Sequence, residues 1–108
     1  MKYCFDLDNT LCLTNNADYK NSQPIKKAIK KVNQLYREGN KIIIFTARGM
    51  GKTDGNITEA YKLFFKLTEK QLKDWQVNYH KLYLGKPEFD ILIDDKSYNY
   101  NNNWIKEI

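Results

Sequence analysis

KYCFDLDNTLCL, residues Lys2 to Leu13, is a short apolar strand that runs straight into two carboxylates. Lys2 to Leu7 carry strand-forming side chains, and Asn9 and Thr10 behind Asp8 favour a turn. Side chains alternate along an extended chain, so Asp6 and Asp8 point the same way, roughly 6.5 Å apart if the extension persists. That spacing admits a phosphoryl group and a metal ion. Two like charges this close need either a shared proton or a cation between them, so the pair reads as an acid and nucleophile team or as half of a metal site.

Working outward, three further strands end on polar residues. KIIIFT, Lys41 to Thr46, is a continuous β-branched and aromatic run of the kind buried on both faces of a parallel sheet, and it closes on Thr46, Ala47 and Arg48. KLYL, Lys81 to Leu84, reads as a third strand and leads into Gly85, Lys86 and Pro87. FDILID, Phe89 to Asp94, reads as a fourth and ends in Asp94 and Asp95. Between them lie two helices. One begins near Pro24, a suitable first helical residue, carries Ile25, Ala28, Ile29, Val32, Leu35 and Tyr36 on one side, and stops at Gly39. The other spans Ile57 to about Gln76, with Ala60, Tyr61, Phe64, Leu67, Leu72 and Trp75 along a stripe. Trp104 to Ile108 is a short amphipathic piece placed to cap a sheet edge.

Strand and helix in alternation imply a parallel sheet with right-handed crossovers. Asp6, Asp8, Thr46, Lys86, Asp94 and Asp95 then all fall at the C-terminal ends of strands, the edge at which open α/β sheets bind ligands.

Composition sets outer bounds. The 108 residues form one domain, 1–108, with 42% apolar side chains and no run long enough to span a membrane. A secretory leader is not apparent, because Asp6 and Asp8 interrupt the only apolar N-terminal run, and a cytoplasmic location is the expectation. Cys4 and Cys12 fit no CxxC or zinc spacing and are expected to be reduced and structural, Cys4 as a buried strand residue. The net charge of +5 favours anionic partners, although Lys26, Lys27, Lys30 and Lys31 on the first helix read more simply as a solvated face. TARGMGKT, residues 46 to 53, imitates a P-loop, but Thr46 stands where its first Gly should be and no helix follows at once.

DxDNT at residues 6 to 10, Thr46 at the end of its strand, Lys86 in GKP and IDD at 93 to 95 together resemble, in order and spacing, the four motifs of the haloacid dehalogenase (HAD) superfamily of phosphatases and phosphotransferases. In size the chain resembles the small capless hydrolases found with capsule and lipopolysaccharide synthesis. The resemblance implies a single Rossmann-like core with a four-stranded parallel sheet of order 3-2-1-4. It also implies a phosphomonoester hydrolase in which Asp6 attacks phosphorus and forms an aspartyl-phosphate, and Asp8 serves as general acid and then as base. Thr46 would donate its hydroxyl to the phosphoryl group, and Lys86 would supply positive charge there.

Mg²⁺ is the implied cofactor, held by Asp6, the backbone carbonyl of Asp8, and Asp94. Asp95 would assist through water or pair with Lys86. Arg48 is a candidate grip for the rest of an anionic substrate, with a surface salt bridge as its plainer fate. The intervals Asn9 to Gln23 and Gly85 to Glu88 are too short to fold as a cap, so the site is expected to lie open. It would then be shielded by the connector, by the Gly49 to Asn56 loop or by a neighbouring subunit of a homo-oligomer. The expected substrate is a small phosphorylated metabolite, a sugar phosphate of polysaccharide biosynthesis. The alternatives are a phosphatase acting on nucleic-acid ends and a non-catalytic HAD-fold binding module.

Overall fold

Alternation along Lys41–Thr46 (β4) decides what lies inside: Ile42, Ile44 and Thr46 are buried, while Ile43 and Phe45 are half-buried. The computed structural model describes all residues, 1–108. Strand β4 is the centre of a three-stranded parallel sheet, with Lys2–Phe5 (β1) on one side and Lys81–Leu84 (β5) on the other. In register, Phe5 stands opposite Ile44, and Ile44 opposite Leu82. A two-stranded antiparallel ribbon, Cys12–Leu13 (β2) with Gln23–Pro24 (β3), follows β1 and ties off the connector between them.

Lys26–Arg37 (α1) buries Ala28, Ile29, Val32 and Leu35, spaced three and four apart, and ends at Gly39 with φ 93°. Its start is later than the sequence suggests: Pro24 sits in the ribbon opposite Cys12, and Ile25 occupies the N-cap position. Ile57–Asp74 (α2) opens on Asn56, whose side chain accepts the N–H of Glu59 at 3.0 Å. The buried positions of α2 are Ala60, Thr68, Gln71 and Leu72, so two of the four are polar. The last helix, Trp104–Glu107 (α3), seats Trp104 against Phe5 of β1 with ring centroids 5.6 Å apart.

The core gathers Phe5, Leu7, Leu11, Val32, Leu35, Ile42, Ile44, Leu72 and Trp104 around the sheet. Leu72 is fully buried there, and Leu72→Ala is expected to lower unfolding free energy by about 2–5 kcal/mol in chemical denaturation. His80 takes a structural position: its N–H donates to the Ile42 carbonyl, its Nδ1 accepts the Ile42 N–H at 3.0 Å, and its ring stacks on Tyr36.

Three expectations require correction. Phe89 to Asp94 does not form a fourth strand, and Ile91 and Ile93 are 79% and 94% exposed. A six-residue segment with four apolar side chains gains its stability from a partner strand rather than from its own propensity, and β1 is left with an unpaired outer edge. β4 is fully buried on one face only. Cys4 is exposed on β1, whereas Cys12 is buried.

Candidate active site

The turn after β1 is built by one carbonyl. The oxygen of Leu7 accepts the N–H groups of Thr10, Leu11 and Cys12, and the N–H of Asn9 donates to the Cys12 carbonyl. Folding back this sharply requires φ 65° at residue 9, a conformation that Asn adopts more readily than most side chains. Leu7 points into the core, and Asp6 and Asp8 on either side of it point towards the strand ends.

Asp6 is partly exposed. One of its oxygens accepts the Thr10 hydroxyl at 3.1 Å, and the other accepts Lys86 Nζ at 3.2 Å. Lys86 arrives from the far side of the sheet, on the turn after β5, where Gly85 adopts φ 96° and the Lys86 N–H bonds the Thr46 carbonyl. Thr46, almost fully buried at the end of β4, accepts the Arg48 N–H on its hydroxyl oxygen. Asp6, Asp8, Thr46 and Lys86 therefore meet at the C-terminal edge of the three parallel strands.

Arg48 is placed differently from the sequence expectation. It is 0% exposed, and its guanidinium forks onto Asp8, with Nη2 2.9 Å from Oδ1 and Nε 3.1 Å from Oδ2. It also reaches Thr68 and Gln71 on α2 and Ser22 on the connector, and lies 4.8 Å from the centre of the Tyr19 ring. Neither substrate grip nor surface salt bridge describes such a residue. Cys12 sits beside the pair, and burial, followed by the Asp8 carboxylate, pushes its thiol up to about 11, so that it stays a neutral donor.

Behind this cluster Gly49 has φ 84°, and a Cβ there would lie 2.8 Å from Phe64 and 3.0 Å from Ala60 of α2. Gly49→Ala is therefore expected both to strain the backbone and to push α2 away from the Arg48 network. A fall in thermal midpoint would register this, and a neutral substitution would contradict it.

Asp6, Asp8, Asn9, Thr14, Tyr19 and Thr46 line a cleft of about 320 Å³. A neighbouring hollow of about 520 Å³ is lined by Lys86, Pro87, Phe89 and Asp90. Glu88 borders both, its carboxylate lying against Gly51, and nothing in its local sequence marks it. Thr68 and Gln71 were detectable in principle: they are polar residues inside an apolar helical stripe, which calls for a buried polar partner.

Asp94 and Asp95 are not brought to this edge. They lie in an exposed turn, where the Lys96 N–H and a hydrogen bond with Asp95 hold the Asp94 carboxyl below its ordinary range. No three His, Cys, Asp or Glu side chains gather as a cation site. The set Asp6, Asp8, Asp94 and Asp95 thus does not, as placed, fit a magnesium ion, which wants several hard oxygen donors in an octahedron.

No protein-family model and no curated protein matches the sequence. Among solved structures, the chain is similar to the crystal structure of a target protein from Vibrio cholerae, with TM-score 0.83 and 29% identity over 98% of this chain and 94% of that one. It is also similar to a chain of the Pnkp1/Rnl/Hen1 complex, with TM-score 0.58 and 22% identity. That match covers 98% of this chain but only 31% of the other, and it speaks to the fold alone. The chain thus has an α/β fold that recurs in these two proteins, and no helix long and apolar enough to cross a membrane.

Proposed function

We propose that the chain is a capless phosphomonoester hydrolase of the HAD type. The observation that carries this reading is the meeting of Asp6 and Lys86, 80 residues apart in sequence and 3.2 Å apart in space, beside a second carboxylate at the C-terminal edge of a parallel sheet. A phosphate monoester repels anionic nucleophiles, so a carboxylate held by an ammonium group at such an edge suits in-line attack. An Asp6 oxygen forms a bond to phosphorus while the bond to the leaving oxygen breaks, and Asp8 delivers a proton to that oxygen. Water then attacks phosphorus, Asp8 takes its proton, and the Asp6–phosphorus bond breaks to release inorganic phosphate. Thr46 orders the strand end by accepting the Arg48 N–H, leaving its own hydroxyl hydrogen to donate to a phosphoryl oxygen.

In the same reading Phe89 to Asp94 docks along the free edge of β1, giving the sheet order 3-2-1-4 and carrying Asp94 towards Asp6. The exposed Ile91 and Ile93, an unpaired edge and the alternation of FDILID support it. Magnesium dependence belongs with this docked state. Hydrogen exchange measured with magnesium and a phosphate analogue should show amides 89 to 94 becoming protected, and Ile93→Asp should remove both protection and turnover. Full activity with those amides exchanging freely would sink the docking.

A small phosphorylated metabolite, a sugar phosphate by resemblance, is the proposed substrate. The exposed Lys26, Lys27 and Lys30 on α1 favour a second reading, the phosphorylated end of a nucleic acid. Turnover of a metabolite panel against that of phosphorylated oligonucleotides separates the two. A steep fall with salt on oligonucleotides alone selects the second, and no turnover of either, or of a generic aryl phosphate, leaves a binding module.

A further inference from the structure

The buried guanidinium of Arg48 has no role in the scheme above, yet its hydrogen bonds can be accounted for completely. A guanidinium carries five N–H groups. Nε–H is shared by the two oxygens of Asp8, at 3.2 Å and 3.1 Å. Nη1 donates to Thr68 Oγ1 at 3.0 Å and to Gln71 Oε1 at 2.6 Å. Nη2 donates to Asp8 Oδ1 at 2.9 Å and Ser22 Oγ at 3.3 Å, with Cys12 Sγ a weaker contact at 3.8 Å. No donor remains for a substrate, and none of the residue is exposed to meet one.

The Asp8 carboxylate is loaded unevenly. Oδ1 accepts Arg48 Nη2, Thr14 Oγ1 at 2.6 Å and Cys12 Sγ at 3.5 Å, besides its share of Nε, whereas Oδ2 has only the shared Nε–H. Thr14 has one hydroxyl hydrogen and gives it to Asp8. Ser22, 2.6 Å from Thr14 Oγ1, must then donate to Thr14 while accepting from Arg48. The result is a closed ring, from Arg48 through Ser22 and Thr14 to Asp8 and back. It joins the end of β4, the connector and the turn after β1. Gln71 extends it, accepting from Arg48 and donating to the Tyr19 carbonyl at 2.6 Å.

We propose that Arg48 is a positioning residue for Asp8, acting with Thr14 and Ser22 to saturate Oδ1 and to present Oδ2 to the reacting groups. This inference rests on the hydrolase reading and deepens it. A planar fork fixes the rotation of a carboxylate in a way that a point charge cannot, so Lys at position 48 keeps the charge and loses the aim.

The test is a double-mutant cycle on an alkyl phosphate, whose poor leaving group needs the Asp8 proton, with folding checked by circular dichroism. Arg48→Lys should lower kcat about 100-fold, the scale of a small misplacement of a reacting group, without raising KM. In an Asp8→Asn background the same change should alter kcat by less than about threefold, because Arg48 then has nothing left to aim. If Arg48→Lys does not fold, Thr14→Val carries the same cycle, and Thr14→Ser should restore the rate. A rise in KM with kcat unchanged, or losses that multiply in the Asp8→Asn background, would overturn the inference while the Asp6-dependent hydrolysis still stands. Absence of any hydrolysis that depends on Asp6 would overturn the proposed function, and this inference with it.

Discussion

Asp6→Asn is expected to reduce phosphatase turnover by at least about four orders of magnitude while leaving the protein folded. The substitution removes the charge of the proposed nucleophile and almost none of its volume. The side chain is 39% exposed, and Asn retains an acceptor for Thr10. What is lost structurally is the ion pair with Lys86, which is partly solvated and contributes little to stability. Turnover with substrate in excess and a thermal melt on the same preparation check both halves. A variant that keeps more than a trace of activity would remove Asp6 from the role assigned to it.

Asp8→Asn is expected to lower turnover by about 10²–10⁴-fold, the usual range for losing a general acid and base. The deficit should widen as the leaving group becomes a poorer one, since an alkoxide needs the proton and a nitrophenolate does not. A series of aryl and alkyl phosphates gives the slope, and a loss that is uniform across the series would count against proton delivery by Asp8. Stability should also fall here, unlike at position 6, because Asp8 is the partner of a fully buried guanidinium.

The difference between these two carboxylates shows what can be read from a chain and what needs the fold. That Asp6, Asp8, Thr46 and Lys86 share one edge is legible, because each follows a short apolar strand and parallel strands bring their C-terminal ends together. The helical stripes of α1 and α2 are legible for the same kind of reason, since burial follows a period of about 3.6. Arg48 was not. Two residues past a strand end, Arg is usually solvated, and only the packing of α2, which aims Thr68 and Gln71 at it, turns a surface candidate into a buried fork. Glu88 carries no such mark in the sequence, and only the fold brings its carboxylate against Gly51.

Phe89 to Asp94 illustrates the opposite error. The run has the composition of a strand, but a strand is a relation between two segments, and composition does not state whether the second is engaged. Asp94 and Asp95 share its fate, since they continue the chain from that run into an exposed turn. Pro24 is a smaller instance: its suitability for a helix start is real, yet pairing with Cys12 takes precedence.

The most direct measurement is of the covalent intermediate itself. Acid quenching during turnover of an aryl phosphate, followed by peptide mass mapping, should find one added phosphoryl group on the peptide that carries Asp6. Borohydride should convert that residue to homoserine, and Asp6→Asn should show neither product. Steady hydrolysis with no phosphoryl group on that peptide, or with one on a different residue, would contradict the account.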